Sequence, residues 1–306
     1  MKQPEHIILG NIQADDASYA GKSIAVHLHL FYEDLAEEYV QYLANIPVAF
    51  DMYISIPQTA ECDTAHIRSA FSRLPNMASL TIERTPNRGR DIAPMVCTFG
   101  QPLMQHDIML HLHTKKSPHD SKLGGWRTFI NEHLLGSQHT VACILTLLSG
   151  TTGIISPPDF SPNFKKGRWL CKQNKRFAQQ LTDRAGWQFS IEKECPVVYF
   201  PQGSMFWARS AFLRPLFGLG LTYEDFPAEP IPADGTIAHA IERLFFLWGK
   251  DSGLSSACLY KETWEKNILD FLMMSHRKHR KYFKLYQYLM WFSGALIIII
   301  ALLICL

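Results

Sequence analysis

Ser23–Tyr32 reads SIAVHLHLFY, and the fold turns on it. The stretch is apolar, β-branched near its start and of strand length, so it predicts a β-strand. Glu33–Ala44 (EDLAEEYVQYLA) follows at once, with Leu35, Tyr39 and Leu43 at i, i+4 and i+8. That spacing predicts an amphipathic helix. The alternation then repeats. Ala49–Ile56 is a second strand closed by Pro57, and Asp63–Leu74 a helix opened by an Asp cap, with Ile67, Phe71 and Leu74 on one face. Ser79–Arg84 is a third strand, Ile92–Met104 a helix and Asp107–Thr114 (DIMLHLHT) a fourth strand. Strands alternating with helices predict parallel βαβ units, hence an α/β fold with a mostly parallel central sheet.

The second half is less regular. Trp126–Ser149 patterns as helix, Gly153–Ser156 as a short strand and Asp159–Lys175 as a basic loop. Val197–Arg209 reads as strand and turn. Thr236–Trp248 reads as a helix burying Ile237, Ile241, Leu244 and Trp248. Residues 1–22 are expected to be a lead-in and residues 23–265 one composite domain.

Of 306 residues, 47% are hydrophobic and 19% charged, which excludes disorder, collagen and coiled coil. Thirty Lys and Arg against 28 Asp and Glu leave +2, too balanced for a chain that coats nucleic acid, and no nucleic-acid partner is expected. Seven cysteines, an odd number with no CxxC pair, argue against a disulfide scaffold and a Cys-based zinc site. The N-terminal run Ile7-Ile8-Leu9 is too short for the apolar core of a signal peptide.

Leu289–Leu306 (LMWFSGALIIIIALLICL) carries no charge over 18 residues. As a helix it would extend about 27 Å, near the ~30 Å of a bilayer core. Tyr286, Tyr288 and Trp291 stand where interfacial aromatics belong. Arg277, Lys278, Arg280, Lys281 and Lys284 form a basic collar within residues 266–288. The expectation is a single-pass C-terminal anchor in the cytoplasmic membrane, with the domain facing the cytoplasm. Without those five charges the rest of the chain carries −3, so any basic site within the domain is local.

In open α/β sheets, ligands bind beyond the carboxyl ends of the strands. Four segments place unusual polar residues there. His27 and His29 point to one face of their strand, as do His111 and His113 of theirs. They are either core histidines or, if the two strands are neighbours, a metal site, although no carboxylate or Cys accompanies either pair. Asn87-Arg88-Gly89-Arg90-Asp91 ends the third strand; it is a capped turn, or a ligand loop whose Arg90 fork suits phosphate. His113-Thr114-Lys115-Lys116-Ser117 ends the fourth, either a solvated basic turn or a diphosphate site. Gly203–Arg209 (GSMFWAR) could be a bulky core strand or a wall that stacks a sugar. Asp234 could be a helix N-cap or a carboxylate at the mouth of the site.

Five pieces taken in order, HLHLFY at 27–32, NRGRDIAP at 87–94, HTKKS at 113–117, GSMFWAR at 203–209 and DGTIAHAIER at 234–243, resemble the rhamnan synthesis protein F family. The resemblance implies a GT-A-like nucleotide-sugar fold. It further implies transfer of a deoxyhexose, typically rhamnose from a dTDP donor, to a lipid-linked or glycan acceptor of the cell envelope. Within it, the expected donor-binding residues are His29, Tyr32, Asn87, Gly89, Arg90 and Asp91, with His113, Lys115 and Lys116 on the departing diphosphate. Ser204, Met205, Trp207 and Arg209 would form the sugar or acceptor pocket. Asp234 is the expected general base of an inverting transfer, with Asp225 and Glu242 in reserve. Met95 departs from the aromatic that family members commonly carry there, and the membrane tail is unlike the family. No Asp-x-Asp follows the fourth strand, where metal-dependent GT-A enzymes hold their cation, so a Mg or Mn cofactor is left open and lysines could neutralise the diphosphate instead. Two rival readings come from other classes: a non-catalytic, membrane-anchored scaffold that binds sugar nucleotide or glycan, and a zinc hydrolase built on the His-x-His pairs.

Overall fold

Eight strands form one sheet in the computed structural model, which describes residues 3–114, 125–159, 172–188, 190–191 and 199–262. They are β1 (Glu5–Ile8), β2 (Ile24–His29), β3 (Phe50–Pro57), β4 (Met77–Thr85), β5 (Ile108–His113), β6 (Thr152–Ser156), β7 (Phe206–Arg209) and β8 (Ser255–Tyr260). Their spatial order is β1-β8-β6-β7-β5-β2-β3-β4. Every pairing is parallel except those of β7, which runs antiparallel between β5 and β6. The predicted mostly parallel α/β sheet is therefore present.

Central strands of such a sheet are covered on both faces. In β2, Ile24, Val26 and Leu28 pack into one apolar cluster with Tyr39, Ile54, Leu110 and Leu134. Ala25 packs into the opposite cluster with Met109, Phe206, Phe245 and Trp248. His27 and His29 share the face of Ala25 by the two-residue period of a strand, and the ring of Phe99 lies 5.3 Å from that of His27.

The helices of the first half follow the sequence pattern. After α1 (Asp16–Tyr19) come α2 (Ala36–Leu43), α3 (Thr64–Phe71) and α4 (Gly100–Met104). Asp63 caps α3 as predicted, accepting from the amides of Ala65 and His66. The predicted helix Ile92–Met104 is broken into a π-turn at Pro94–Thr98 and α4, because Pro102 has no N–H to offer the carbonyl of Thr98. Trp126–Ser149 is two helices, α5 (Trp126–Leu135) and α6 (Gln138–Ser149), because Ser137 caps the second by accepting from the amide of Thr140.

Three expectations need correction. The lead-in supplies β1, which pairs with β8, a strand the sequence pattern did not reveal. The predicted loop Asp159–Lys175 ends early, since α7 spans Lys172–Arg184; residues 160–171 lie outside the described residues. The predicted strand Val197–Arg209 shortens to β7, residues 199–205 forming the approach to it. Met1–Lys261 is one compact unit. The basic collar and the apolar run at 266–306 lie outside the described residues, and no described helix is long and apolar enough to cross a membrane.

Candidate functional site

A cavity of about 530 Å³ opens beyond the carboxyl ends of β2 and β5. The end of β2 contributes His29, Phe31 and Tyr32; the turn after β4 contributes Asn87, Arg90 and Asp91; the end of β5 contributes His113. Glu229 and Pro230 close the remaining side. The side-chain oxygen of Thr114 accepts from the amides of both Phe31 and Tyr32, at 2.8 and 3.1 Å, and so ties the β2 loop to the end of β5. Phe31 is 40% exposed, the single large exposed hydrophobic among the described residues.

The turn after β4 carries two successive left-handed residues, Gly89 (φ 64°) and Arg90 (φ 55°). A Cβ on Gly89 would stand 2.5 Å from the Phe226 ring and 2.6 Å from the Cβ of Ala93. Gly89 thus serves a close backbone approach to Phe226, and it is not among the residues that line the cavity, although it was expected on the donor. The guanidinium of Arg88 donates to the carbonyls of Tyr223 and Phe226, at 3.3 and 3.0 Å, fastening the segment that leads to Glu229. Arg90 projects the other way. Its Nη1 donates to His239 Nε2 at 3.3 Å, its Nη2 to the carbonyl of Pro232 at 3.5 Å, and its Nε stands 3.8 Å from Glu229 Oε1. A non-glycine residue at positive φ costs about 1–3 kcal/mol, and such strain clusters at functional sites. The second non-glycine residue at positive φ among those described is Ser204, φ 59°. It lines a smaller recess of about 40 Å³ that shares Arg90, Asp91 and His113 with the main cavity.

Beneath the cavity the histidines meet. β2 and β5 are neighbours in register, His27 opposite His111 and His29 opposite His113. His27 Nδ1 and His111 Nδ1 are 2.9 Å apart in rings whose planes differ by 4°. His111 Nε2 reaches Asp91 Oδ2 at 3.3 Å. On the other side, Ser55 Oγ lies 3.0 Å from His27 Nε2 and 2.9 Å from His29 Nδ1. Burial pushes His27 well below its ordinary value, helped by His111 and His29. Burial likewise lowers His29 to about 3, against the pull of Asp91. Burial would raise the Asp91 carboxyl, but His113 and His111 outweigh it and hold the group well below the carboxylate range. The sequence reading found no carboxylate for these pairs; Asp91 arrives from the turn after β4. With their nitrogens bonded to one another, to Ser55 and to Asp91, His27 and His111 offer no lone pairs for a metal. No group of three or more His, Cys, Asp or Glu among the described residues is arranged to hold one.

His29, Tyr32, Asn87, Arg90, Asp91 and His113, all expected on the donor, line the cavity together. Lys115 and Lys116 lie outside the described residues. The second half behaves otherwise. Met205 and Trp207 are 2% and 0% exposed, and Trp207 Nε1 donates to the carbonyl of Leu134. They are core residues, the alternative the sequence left open, and line neither the cavity nor the smaller recess. Arg209 sits opposite Ile108, at the amino end of β5, where its guanidinium binds the carbonyls of Leu148 and Gly150. Asp225 closes a capping box with Thr222 and pairs with Arg184 at 3.2 Å. Asp234 accepts from Asn174 at 2.7 Å and pairs with Arg243 at 3.1 Å. Neither carboxylate lines either cavity. Glu242 does line the smaller recess, where its Oε1 accepts from the amide of Gly203 at 3.0 Å. The carbonyl of the same Gly203 accepts from His113 Nε2 at 2.6 Å.

Sequence reasoning missed Phe31, Ser55, Glu229 and His239. Phe31 and His239 lie inside the quoted motifs HLHLFY and DGTIAHAIER. Ser55 shows only as a hydroxyl in an apolar strand, and Glu229 carries no signal in its Pro-rich surroundings.

Fold and site define a class: an α/β domain with a parallel-sheet cleft lined by one arginine, histidines, carboxylates and aromatic rings. The comparisons make it particular. The chain belongs to the rhamnan synthesis protein F family, whose model matches residues 4–253. It is 31% identical over 235 residues to proteins from two strains of Xanthomonas campestris pv. campestris, each named "Uncharacterized protein WxcX". That alignment covers 76% of this chain and 32% of the relative, so the chain spans about a third of those proteins. A mycobacterial protein of known crystal structure aligns over 85% of this chain and 75% of its own, at a TM-score of 0.38 and 13% identity, a likeness too low to carry an argument. The family carries with it a role in rhamnan or related polysaccharide synthesis.

Proposed function

We propose that the domain is a GT-A-like inverting glycosyltransferase that moves a sugar, with rhamnose from a dTDP donor favoured, onto an envelope glycan or lipid-linked acceptor. The observation that supports it most is the convergence of Arg90, Asn87, His113 and the aromatic pair Phe31–Tyr32 on one cleft at the strand ends. Arg90 offers a charged planar fork to the departing diphosphate, and charge-assisted bonds of this kind are about twice as strong as neutral ones. Asn87 suits the base or ribose. Phe31 and Tyr32, with ring centroids 5.0 Å apart, offer apolar faces to a base or sugar ring. A Mg or Mn ion would share the diphosphate's charge with Arg90 if the donor brings one. The collar and apolar run at 266–306 would keep the cleft at the cytoplasmic face of the membrane, near a lipid-linked acceptor.

Direct displacement at the anomeric carbon needs a base on the face opposite the leaving group. The carboxylates of Asp234 and Asp225 are engaged elsewhere, which moves the search for that base to groups in the cleft. The test is a donor panel of dTDP-rhamnose, GDP-sugars and UDP-sugars, each with acceptor glycan. Release of nucleoside diphosphate that requires acceptor supports transfer. Donor binding without turnover across the panel would favour a sugar-nucleotide-binding scaffold instead.

A further inference from the structure

Asp91, His111, His27, Ser55 and His29 form one continuous chain of hydrogen bonds, with steps of 3.3, 2.9, 3.0 and 2.9 Å. Both ends of the chain line the cavity, and His27, His111 and Ser55 are wholly buried beneath it. The chain has a direction. An ionised Asp91 only accepts, so His111 holds its proton on Nε2 and accepts at Nδ1. His27 therefore donates from Nδ1 and accepts at Nε2. Ser55 donates its hydroxyl proton to that nitrogen and must accept from His29 Nδ1–H. A neutral His29 is then left with its lone pair on Nε2. The Asp91 carboxylate thus fixes the tautomer of a ring in the cleft through three intervening residues.

We propose that His29 Nε2 takes the proton of the acceptor hydroxyl and that Ser55 and His27 relay the charge to His111, beside Asp91. The step rests on the transferase reading above, and it balances. The acceptor O–H bond breaks as its oxygen bonds to the anomeric carbon. The bond from that carbon to the diphosphate breaks, and the leaving oxygen keeps the electron pair against Arg90. The proton enters at His29 Nε2; its Nδ1 proton passes to Ser55, the Ser55 proton to His27 Nε2, and the His27 Nδ1 proton to His111. No net charge stays on His29, whose burial opposes it. The imidazolium forms at His111, the ring bonded to the Asp91 carboxylate. After product leaves, the chain runs back and His29 loses the proton to water. Glu229, which also lines the cleft, is already engaged there: its Oε2 accepts from the amide of Ile231 at 2.9 Å and its Oε1 stands 3.8 Å from the Arg90 guanidinium.

Two measurements on the 306-residue chain test this. Histidine-selective ¹⁵N NMR at neutral pH should show His29 protonated on Nδ1 and bare on Nε2, and Ser55→Ala should release that preference. Ser55 does not itself line the cavity, so Ser55→Ala should lower turnover about 100-fold while donor affinity, set by the residues that do line it, changes far less. A wild-type His29 protonated on Nε2 overturns the proposal. So does wild-type turnover in folded Ser55→Ala, or a proton-transfer loss found in Glu229→Gln alone. If the wild-type chain turns over no sugar nucleotide, the transferase reading falls and takes the relay's use with it. The NMR result still reports whether the chain is oriented as described.

Discussion

The carboxyl ends of β2 and β5 and the stretch from Gly203 to Arg243 are both rich in polar and aromatic residues, yet they use them differently. At the strand ends, side chains that a buried sheet should not contain are gathered around one cleft. In the later stretch the residues that look most like chemistry are engaged in holding the fold. Trp207 lies in the core, Arg209 binds two carbonyls at the far end of β7, and Asp225 and Asp234 are paired with arginines. What that stretch lends the site is backbone: Gly203 accepts from His113 through its carbonyl and donates to Glu242 through its amide. A polar residue in a half-irregular segment has many structural uses. A histidine in the middle of a parallel sheet has few, because its polar nitrogens must find partners within the core.

Substitutions can break this contrast, beginning with the strongest. Asp91→Asn removes the charge that would hold an imidazolium at His111, and turnover should fall at least ~100-fold while the chain stays folded; a steady-state assay with the active donor decides it. Next, Gly89→Ala combines a positive φ with a Cβ only 2.5 Å from the Phe226 ring. It should cost about 3 kcal/mol of unfolding free energy, read from a denaturant melt, with the loss of activity following the loss of fold.

The pH dependence sharpens the same contrast. His27 and His29 have folded values far below their unfolded value of about 6.5. Their neutral burial therefore supports full stability above that value. The unfolded chain takes up protons that the folded chain refuses as the pH falls below it, down to about 3 for His29. Stability should drop by about 1.4 kcal/mol per pH unit for each of the two histidines. Thermal melts from pH 7 to pH 4.5 check this, and a flat melting temperature would contradict it. His27→Phe, which removes one such group, should flatten the slope.

Smaller effects probe the other region. Asp234→Asn should weaken the pair with Arg243 and cost about 1 kcal/mol of stability. Its turnover should stay within a few fold of wild type; a ~100-fold loss would restore Asp234 as the base. Last, Phe31→Ala should raise KM by roughly 2- to 10-fold, the range of a 0.5–1.5 kcal/mol aromatic contact, and leave kcat nearly unchanged.

The elements most legible in the sequence were those with local causes. Period and capping placed β3 through β5 and the cap at Asp63 within a residue or two, and β2 to within three at its carboxyl end. β1 and β8 were not legible, because a four-residue edge strand and the six-residue strand beside it acquire their meaning only by pairing across 250 positions. Much of the cleft lining was readable for a related reason: His29, Tyr32, Asn87, Arg90, Asp91 and His113 all stand at or just past strand ends, where α/β topology sends ligands. Trp207, Met205 and Asp234 were misplaced because residue type carries no information about which neighbour claims the side chain first.

The sequence alone determined that this chain builds a parallel α/β sheet with histidines inside it and an arginine turn at its edge, since those follow from period, strand length and spacing. Tertiary structure alone decided that β2 and β5 lie side by side in register, that Asp91 folds back onto His111 and that Ser55 of β3 links the two histidines of β2. Strand order is set by which apolar faces cover one another over the whole sheet. A hydrogen-bond chain through three strands exists only once that order is chosen.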